Sequence, residues 1–115
     1  LKPYSRNIID LVGKITISEM VSVVEKSKAL IVTDTGTAHI ASAVNTTVFC
    51  LIGPTPHEQT GPYKTPFNEV YIISAGLSCS PCYKTEVMKA CKDNICMKNI
   101  KPLNVFDLLN QAKIL

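Results

Sequence analysis

Two short segments, Ala29–Thr33 and Thr47–Ile52, constrain this chain most: both are apolar almost throughout and about half β-branched, with no regular polar alternation. A strand wet on one face alternates apolar with polar side chains, whereas an unbroken apolar strand is one covered by helices on both faces, the habit of parallel sheets. Residues Thr37–Val44 between them are small and mostly apolar, with helical character. Strand, helix and strand in that order read as a βαβ unit, and Val70–Ser74 reads as a third strand. An amphipathic helix over Ile17–Lys28, with Ser18 as N-cap, Glu19 in the first turn and apolar Met20, Val21, Val23 and Val24, precedes the first strand. Pro102–Lys113 reads as a closing helix, with Pro102 near N1 and Val105, Leu108, Leu109 and Ala112 on one face. The fold class expected is α/β with a parallel sheet.

At 115 residues the chain can bury one core and is too short for two ordinary domains. Hydrophobic residues at 46% against charged residues at 18% fit a folded segment and argue against disorder. A net charge of +3 from scattered Lys and Arg, with no Trp and 6% aromatics, offers neither a basic stripe nor a stacking platform, so nucleic acid is not an expected partner. No apolar run reaches membrane-spanning length, and the start Leu1-Lys2-Pro3-Tyr4 has no signal-peptide architecture, so the expectation is a soluble chain without a readable address.

The chemistry-bearing residues fall where the three strands end. Asp34-Thr35-Gly36-Thr37-Ala38-His39 turns from the first strand into a helix. The first turn of a helix carries unpaired N–H groups and the positive end of the macrodipole, so a Thr-Gly-Thr turn there offers donors to an anion, a phosphate above all. The loops Gly53 to Tyr63 and Gly76 to Cys82 leave the other strands at the same edge, where open α/β sheets bind ligands. The pattern is neither a GxGxxG fingerprint nor a Walker A loop. Each residue also has a plainer reading: Asp34 as a helix N-cap, Gly36 as a backbone-angle or packing glycine, His39 as a partly buried packing residue, and Thr55, Thr60 and Tyr63 as turn formers. His57 and Glu58 read as solvated loop residues without a catalytic role.

Taken together, Asp34-Thr35-Gly36-Thr37-Ala38-His39-Ile40-Ala41-Ser42-Ala43, Val48-Phe49-Cys50-Leu51-Ile52-Gly53-Pro54-Thr55 and Thr60-Gly61-Pro62-Tyr63 resemble the C-terminal half of the family 9 glycosyltransferases, the lipopolysaccharide heptosyltransferases. Asp10 to Thr16 and Cys79-Ser80-Pro81-Cys82 extend that likeness over most of the chain. The resemblance implies a partial Rossmann-like domain over residues 1–115, from the C-terminal half of a GT-B glycosyltransferase. It carries a Cys-rich segment at 79–96 and a closing helix at 102–113. It further implies a donor site for a nucleotide sugar, ADP-heptose, made by Asp34, Thr35, Gly36, Thr37, His39, Gly53 and Thr55, with His39 stabilising the leaving diphosphate. The acceptor, a lipid-linked saccharide of the lipopolysaccharide core, and the catalytic carboxylate belong to an N-terminal domain outside this chain. The expected location is cytoplasmic, peripheral at the inner face of the inner membrane. The chemistry implied needs no cofactor. The family pattern has Gly-Thr-Pro after the helix where this chain has Asn45-Thr46-Thr47; Asn tolerates a left-handed C-cap, so the local fold is expected to survive. A truncated parallel sheet also presents an unpaired edge, open to self-association.

Cys79-x2-Cys82-x8-Cys91-x4-Cys96 has one pair at metal-knuckle spacing and a looser second pair, while Cys50 sits alone in a strand as a small core residue. Three states stay open for the four: ligands of a structural zinc or other metal, disulfides, or free thiols. With a metal bound, the alternative function is a non-catalytic four-cysteine binding module in which the Asp34 turn is only a cap. A thioredoxin-type role for Cys79-Ser80-Pro81-Cys82 fits poorly, because the motif does not open a helix after an early strand.

Overall fold

The computed structural model describes residues 7–115; residues 1–6 of the expected 1–115 domain lie outside the described part. The elements run α1 (Ile17–Lys26), β1 (Ala29–Thr33), α2 (Gly36–Ala43), β2 (Thr47–Ile52), α3 (His57–Thr60), β3 (Val70–Ser74), α4 (Glu86–Ala90), α5 (Ile95–Lys98) and α6 (Pro102–Gln111). The sheet is parallel in the order β1-β2-β3, with Ala29 opposite Thr47 and Val48 opposite Val70 starting the two registers. All three strands fall where the apolar runs put them.

The period of two along each strand divides the core between two faces. Val48, Cys50 and Ile52 of β2 point to one face, where they pack with Val24 of α1, Ala38 and Ala41 of α2, and Leu30, Val32 and Ile72. Phe49 and Leu51 point to the other, against Tyr71 and Ile73 of β3 and Val105, Leu108 and Leu109 of α6. That is why the strands are apolar on nearly every residue, with Thr33, Thr47 and Ser74 only at their ends. Phe49 and Tyr71 are register partners and their rings stack with centroids 4.6 Å apart at 7°, worth about 0.5–1.5 kcal/mol beyond the area they bury. Among the described residues β1 pairs on one side only, and Ile31 on it is 50% exposed.

The helix ends correct two readings. Thr16, not Ser18, caps α1: its Oγ1 accepts from the Glu19 amide at 3.2 Å, the Thr-x-x-Glu arrangement of a capping box. The helix stops at Lys26 because Ser27 takes an extended backbone and bonds back into the last turn. At the far end of α2 the expected tolerance of Asn45 is realised. Asn45 sits at φ 62, its amide donates to Ser42 O at 3.2 Å, and the Thr46 amide donates to Ala41 O at 2.9 Å. Those two bonds make a Schellman motif. Buried Thr46 then donates its hydroxyl to Val24 O at 2.8 Å, so the same turn that ends α2 ties it to α1 and aims β2 into the sheet.

Asn45→Ala is expected to lower stability by about 1 kcal/mol, because Ala lacks the short polar side chain that lets Asn tolerate the left-handed region and also loses the bond that Asn45 Oδ1 accepts from Thr65 Oγ1 at 2.7 Å. Asn45→Gly should lower it less, since glycine is unstrained there but loses the same bond; denaturant midpoints measure both. Cys50 gives a second prediction. Burial first, and the Asp34 carboxylate second, push its thiol up from 9.0 to about 11. Above pH 9 the unfolded thiol ionises while the folded one holds its proton. The contribution is therefore whole below pH 9 and is lost as pH rises toward 11, at roughly 1.4 kcal/mol per unit. Cys50→Ala should flatten the alkaline fall in stability measured against pH.

Candidate functional site

At the C-terminal end of β1 the chain makes the turn on which the site is built. Thr35 occupies the N-cap position of α2 with φ −138 and ψ 170, yet its side chain caps nothing: Oγ1 donates back to Thr33 O at 3.3 Å. Gly36 and Thr37 are the first two helical residues, whose amides have no intrahelical acceptor. The N-terminus of α2 is thus open, and the dipole places partial positive charge there.

Asp34 does not serve as the cap. Its Oδ2 lies 3.1 Å from Thr60 Oγ1, which in turn lies 3.2 Å from Pro56 O, so the one hydroxyl proton of Thr60 is shared between a carboxylate and a carbonyl. This contact joins the β1 turn to α3 across 26 residues of chain. Gly36 is equally uncommitted. Its φ is not in the left-handed region, and a Cβ built on it meets nothing within 4 Å. Neither backbone angle nor packing within this chain asks for glycine there; the open space beside it suits a close approach to the backbone by something else.

Asp34, Thr35, Gly36, His39, Thr55, Thr60 and Tyr83 line one open cleft of about 350 Å³. Five of the seven residues expected at the donor site line it. Thr37 contributes its backbone position in the first turn and does not line the cleft. Gly53 lies on a neighbouring, more enclosed cleft of about 200 Å³ that shares Thr55 and carries His57, Glu58 and Ser74. Packing alone explains Gly53: a Cβ there would stand 2.7 Å from Met97 Sδ and 3.3 Å from Cys96 Sγ. Thr55 Oγ1, on the wall between the two clefts, is buried without a hydrogen-bond partner. His39 is exposed on the fourth residue of α2.

Tyr83 is the residue that sequence reading missed, Tyr63 having been considered in its place. Tyr83 arrives from far along the chain because the Cys82 and Tyr83 amides both donate to Pro54 O at 2.9 Å, pinning the late loop onto the end of β2. The Lys84 ammonium lies 5.3 Å from the Tyr83 ring centroid and brings a positive charge to that wall. Nothing local in Cys82-Tyr83-Lys84 announces this.

The expected metal set of Cys79, Cys82, Cys91 and Cys96 is corrected. Among the described residues no three His, Cys, Asp or Glu side chains are arranged to hold a metal ion. The four thiols neighbour one another but differ in exposure and in what they touch. Cys79 and Cys91 are exposed, Cys91 Sγ donates to Asp93 O at 3.2 Å, Cys96 packs on Gly53 and Cys82 is buried. All five cysteines are free thiols. Burial, and after it the neighbouring Cys79, Cys96 and Cys91 sulfurs, push the Cys82 thiol up from its ordinary value.

Comparison with known proteins agrees with the motif. Lipooligosaccharide heptosyltransferase 2 of Haemophilus influenzae (strain ATCC 51907 / DSM 11121 / KW20 / Rd) is 32% identical over 69 residues, which cover 60% of this chain and 20% of that protein. The chain thus matches about a fifth of the length of this curated relative. No solved structure matches the chain. Among the described residues no helix is long and apolar enough to cross a membrane. The profile of glycosyltransferase family 9 (heptosyltransferase) matches residues 2–92, which takes in the Asp34 turn, the first two strands and β3, and on that match the chain belongs to this family.

Proposed function

We propose that this chain is the donor-binding portion of a glycosyltransferase that transfers heptose from ADP-heptose to a saccharide acceptor of the lipopolysaccharide core. In this reading residues 1–115 are one partial nucleotide-sugar-binding domain in the C-terminal half of a GT-B enzyme. The acceptor and its activating carboxylate are supplied by another domain, at the inner face of the inner membrane. The observation that carries the reading is the pairing of an uncapped α2 N-terminus with Gly36, whose glycine identity nothing in the chain requires. Family membership and the heptosyltransferase likeness supply the substrate class.

Each residue then has a task that its chemistry suits. In transfer with inversion an acceptor hydroxyl attacks the anomeric carbon, the bond from that carbon to the diphosphate oxygen breaks, and negative charge grows on the departing ADP. The amides of Thr35, Gly36 and Thr37, with the dipole of α2 behind them, meet that charge already oriented, so no reorganisation accompanies the reaction. His39, one turn into α2, donates to the same oxygens. Asp34 is held by Thr60 and faces the sugar or ribose hydroxyls, for which a carboxylate is a strong acceptor. Thr55 has an unspent hydroxyl at the edge of the cleft for the same purpose. Gly53 acts indirectly, by letting Met97 and Cys96 close over the end of β2. The half-covered edge of β1 is the site at which the isolated chain would self-associate.

Calorimetric titration of the folded chain with ADP is expected to give saturable binding, weakened about tenfold by His39→Ala, a loss typical of one hydrogen bond to a charged group. UDP should bind more weakly. A folded sample that binds neither nucleotide would remove the donor role from this turn.

A further inference from the structure

We propose that Cys82 and Cys96 form a reversible disulfide that closes the late cysteine-rich segment on itself where it packs against the end of β2 and fixes Tyr83 over the cleft. The functional half of this inference rests on the reading of that cleft as the donor site; the cross-link itself does not.

Three of the four late cysteines, Cys82, Cys91 and Cys96, open onto one cavity of about 380 Å³ whose walls also carry Met88 and Met97. Two of them are seated on consecutive residues of the same turn. Cys96 Sγ packs 3.3 Å from the position of a Gly53 Cβ, and the Cys82 amide donates to Pro54 O at 2.9 Å. Gly53 and Pro54 therefore act as a common platform that brings the two residues side by side from opposite ends of the segment. Ser80 reinforces it by donating its hydroxyl to Gly53 O. The other two thiols do not share that platform: Cys91 is exposed and donates to Asp93 O, and Cys79, although it neighbours Cys82, is exposed and does not line the cavity. Between Cys82 and Cys96 lies only the five-residue α4, and Cys96 itself is the second residue of the four-residue α5, so the segment has little rigid structure to resist the final approach of the sulfurs.

Partly exposed Cys96 takes the oxidant and buried Cys82 resolves it. With oxidised glutathione, the Cys96 thiolate attacks one sulfur of the oxidant and a glutathione thiolate leaves. Cys82 then gives its proton to water and attacks the Cys96 sulfur, releasing the second glutathione. Two thiols become one disulfide, and the oxidant becomes two glutathione thiols. The consequence for the cleft follows from the chain: Tyr83 adjoins Cys82, so fixing the one restrains the other on the cleft wall.

The test equilibrates the purified chain with glutathione buffers of increasing oxidised fraction, maps disulfides by non-reducing peptide mass spectrometry, and measures ADP affinity in the reduced and oxidised forms. The expected map holds a Cys82–Cys96 peptide that dithiothreitol removes, present in Cys91→Ser and Cys79→Ser and lost in both Cys82→Ser and Cys96→Ser, with ADP affinity about fivefold higher after oxidation. A bridge mapped to Cys79–Cys82 or Cys91–Cys96, or thiols that stay reduced throughout, would overturn the proposal. So would one equivalent of zinc taken up by the reduced chain with all four thiols shielded from alkylation. Unchanged affinity in a chain that binds ADP would overturn the link to Tyr83. Absence of ADP binding in both forms would count against the donor reading and that link alike, with the peptide map still deciding the cross-link.

Discussion

The burial of β2 on both faces is the constraint from which the rest follows. Val48, Cys50 and Ile52 need a cover on one side and Phe49 and Leu51 on the other, so α1 and α2 must take one face and α6 the opposite one. A parallel sheet covered in this way has its loops only at the two ends of the strands. Its C-terminal end therefore collects the Asp34 turn, the Gly53 to Thr60 segment and, through Pro54, the late cysteine-rich loop. The cleft is a product of that topology before it is a product of any one side chain.

The two ends of α2 show opposite design. Its C-terminus is closed by a complete Schellman motif at Asn45 and Thr46 and tied to α1 through Val24. Its N-terminus is left with no side-chain cap, although both a Thr and an Asp stand beside it. Thr35 bonds backwards and Asp34 bonds across to Thr60. A cap is worth about 1 kcal/mol, so an available but unused cap is a cost the fold accepts at this end of α2. Such a local departure from what stability favours is expected where a site is kept ready for a ligand.

Much of the sheet was legible because its signal is strong: β1, β2 and β3 are bounded by the apolar runs themselves, and α6 begins at Pro102 as its fixed φ suggests. The turn after β1 was legible as a strand-to-helix turn through its Asp-Thr-Gly-Thr run. The small helices α3, α4 and α5 were not, since four or five residues carry no periodicity. Ser18 and Thr16 are both capping residue types, and only the Glu19 bond decides between them. The cysteines misled for a related reason. Spacing reports which sulfurs are near in sequence, whereas the folded segment decides which are exposed and what each bonds, as Cys91 does to the Asp93 carbonyl. Tyr83 joined the cleft through a backbone bond to Pro54, a long-range contact with no sequence signature.

The account stands on the amides of Thr35, Gly36 and Thr37 being the anion-binding element. The most direct test is an amide-resolved NMR titration of the folded chain with ADP, run beside adenosine, which lacks the diphosphate. The account predicts that ADP shifts these three amides first and most, and that adenosine at equal concentration leaves them in place. Shifts confined to the Gly53–Ser74 cleft, or equal responses to the two ligands, would contradict it.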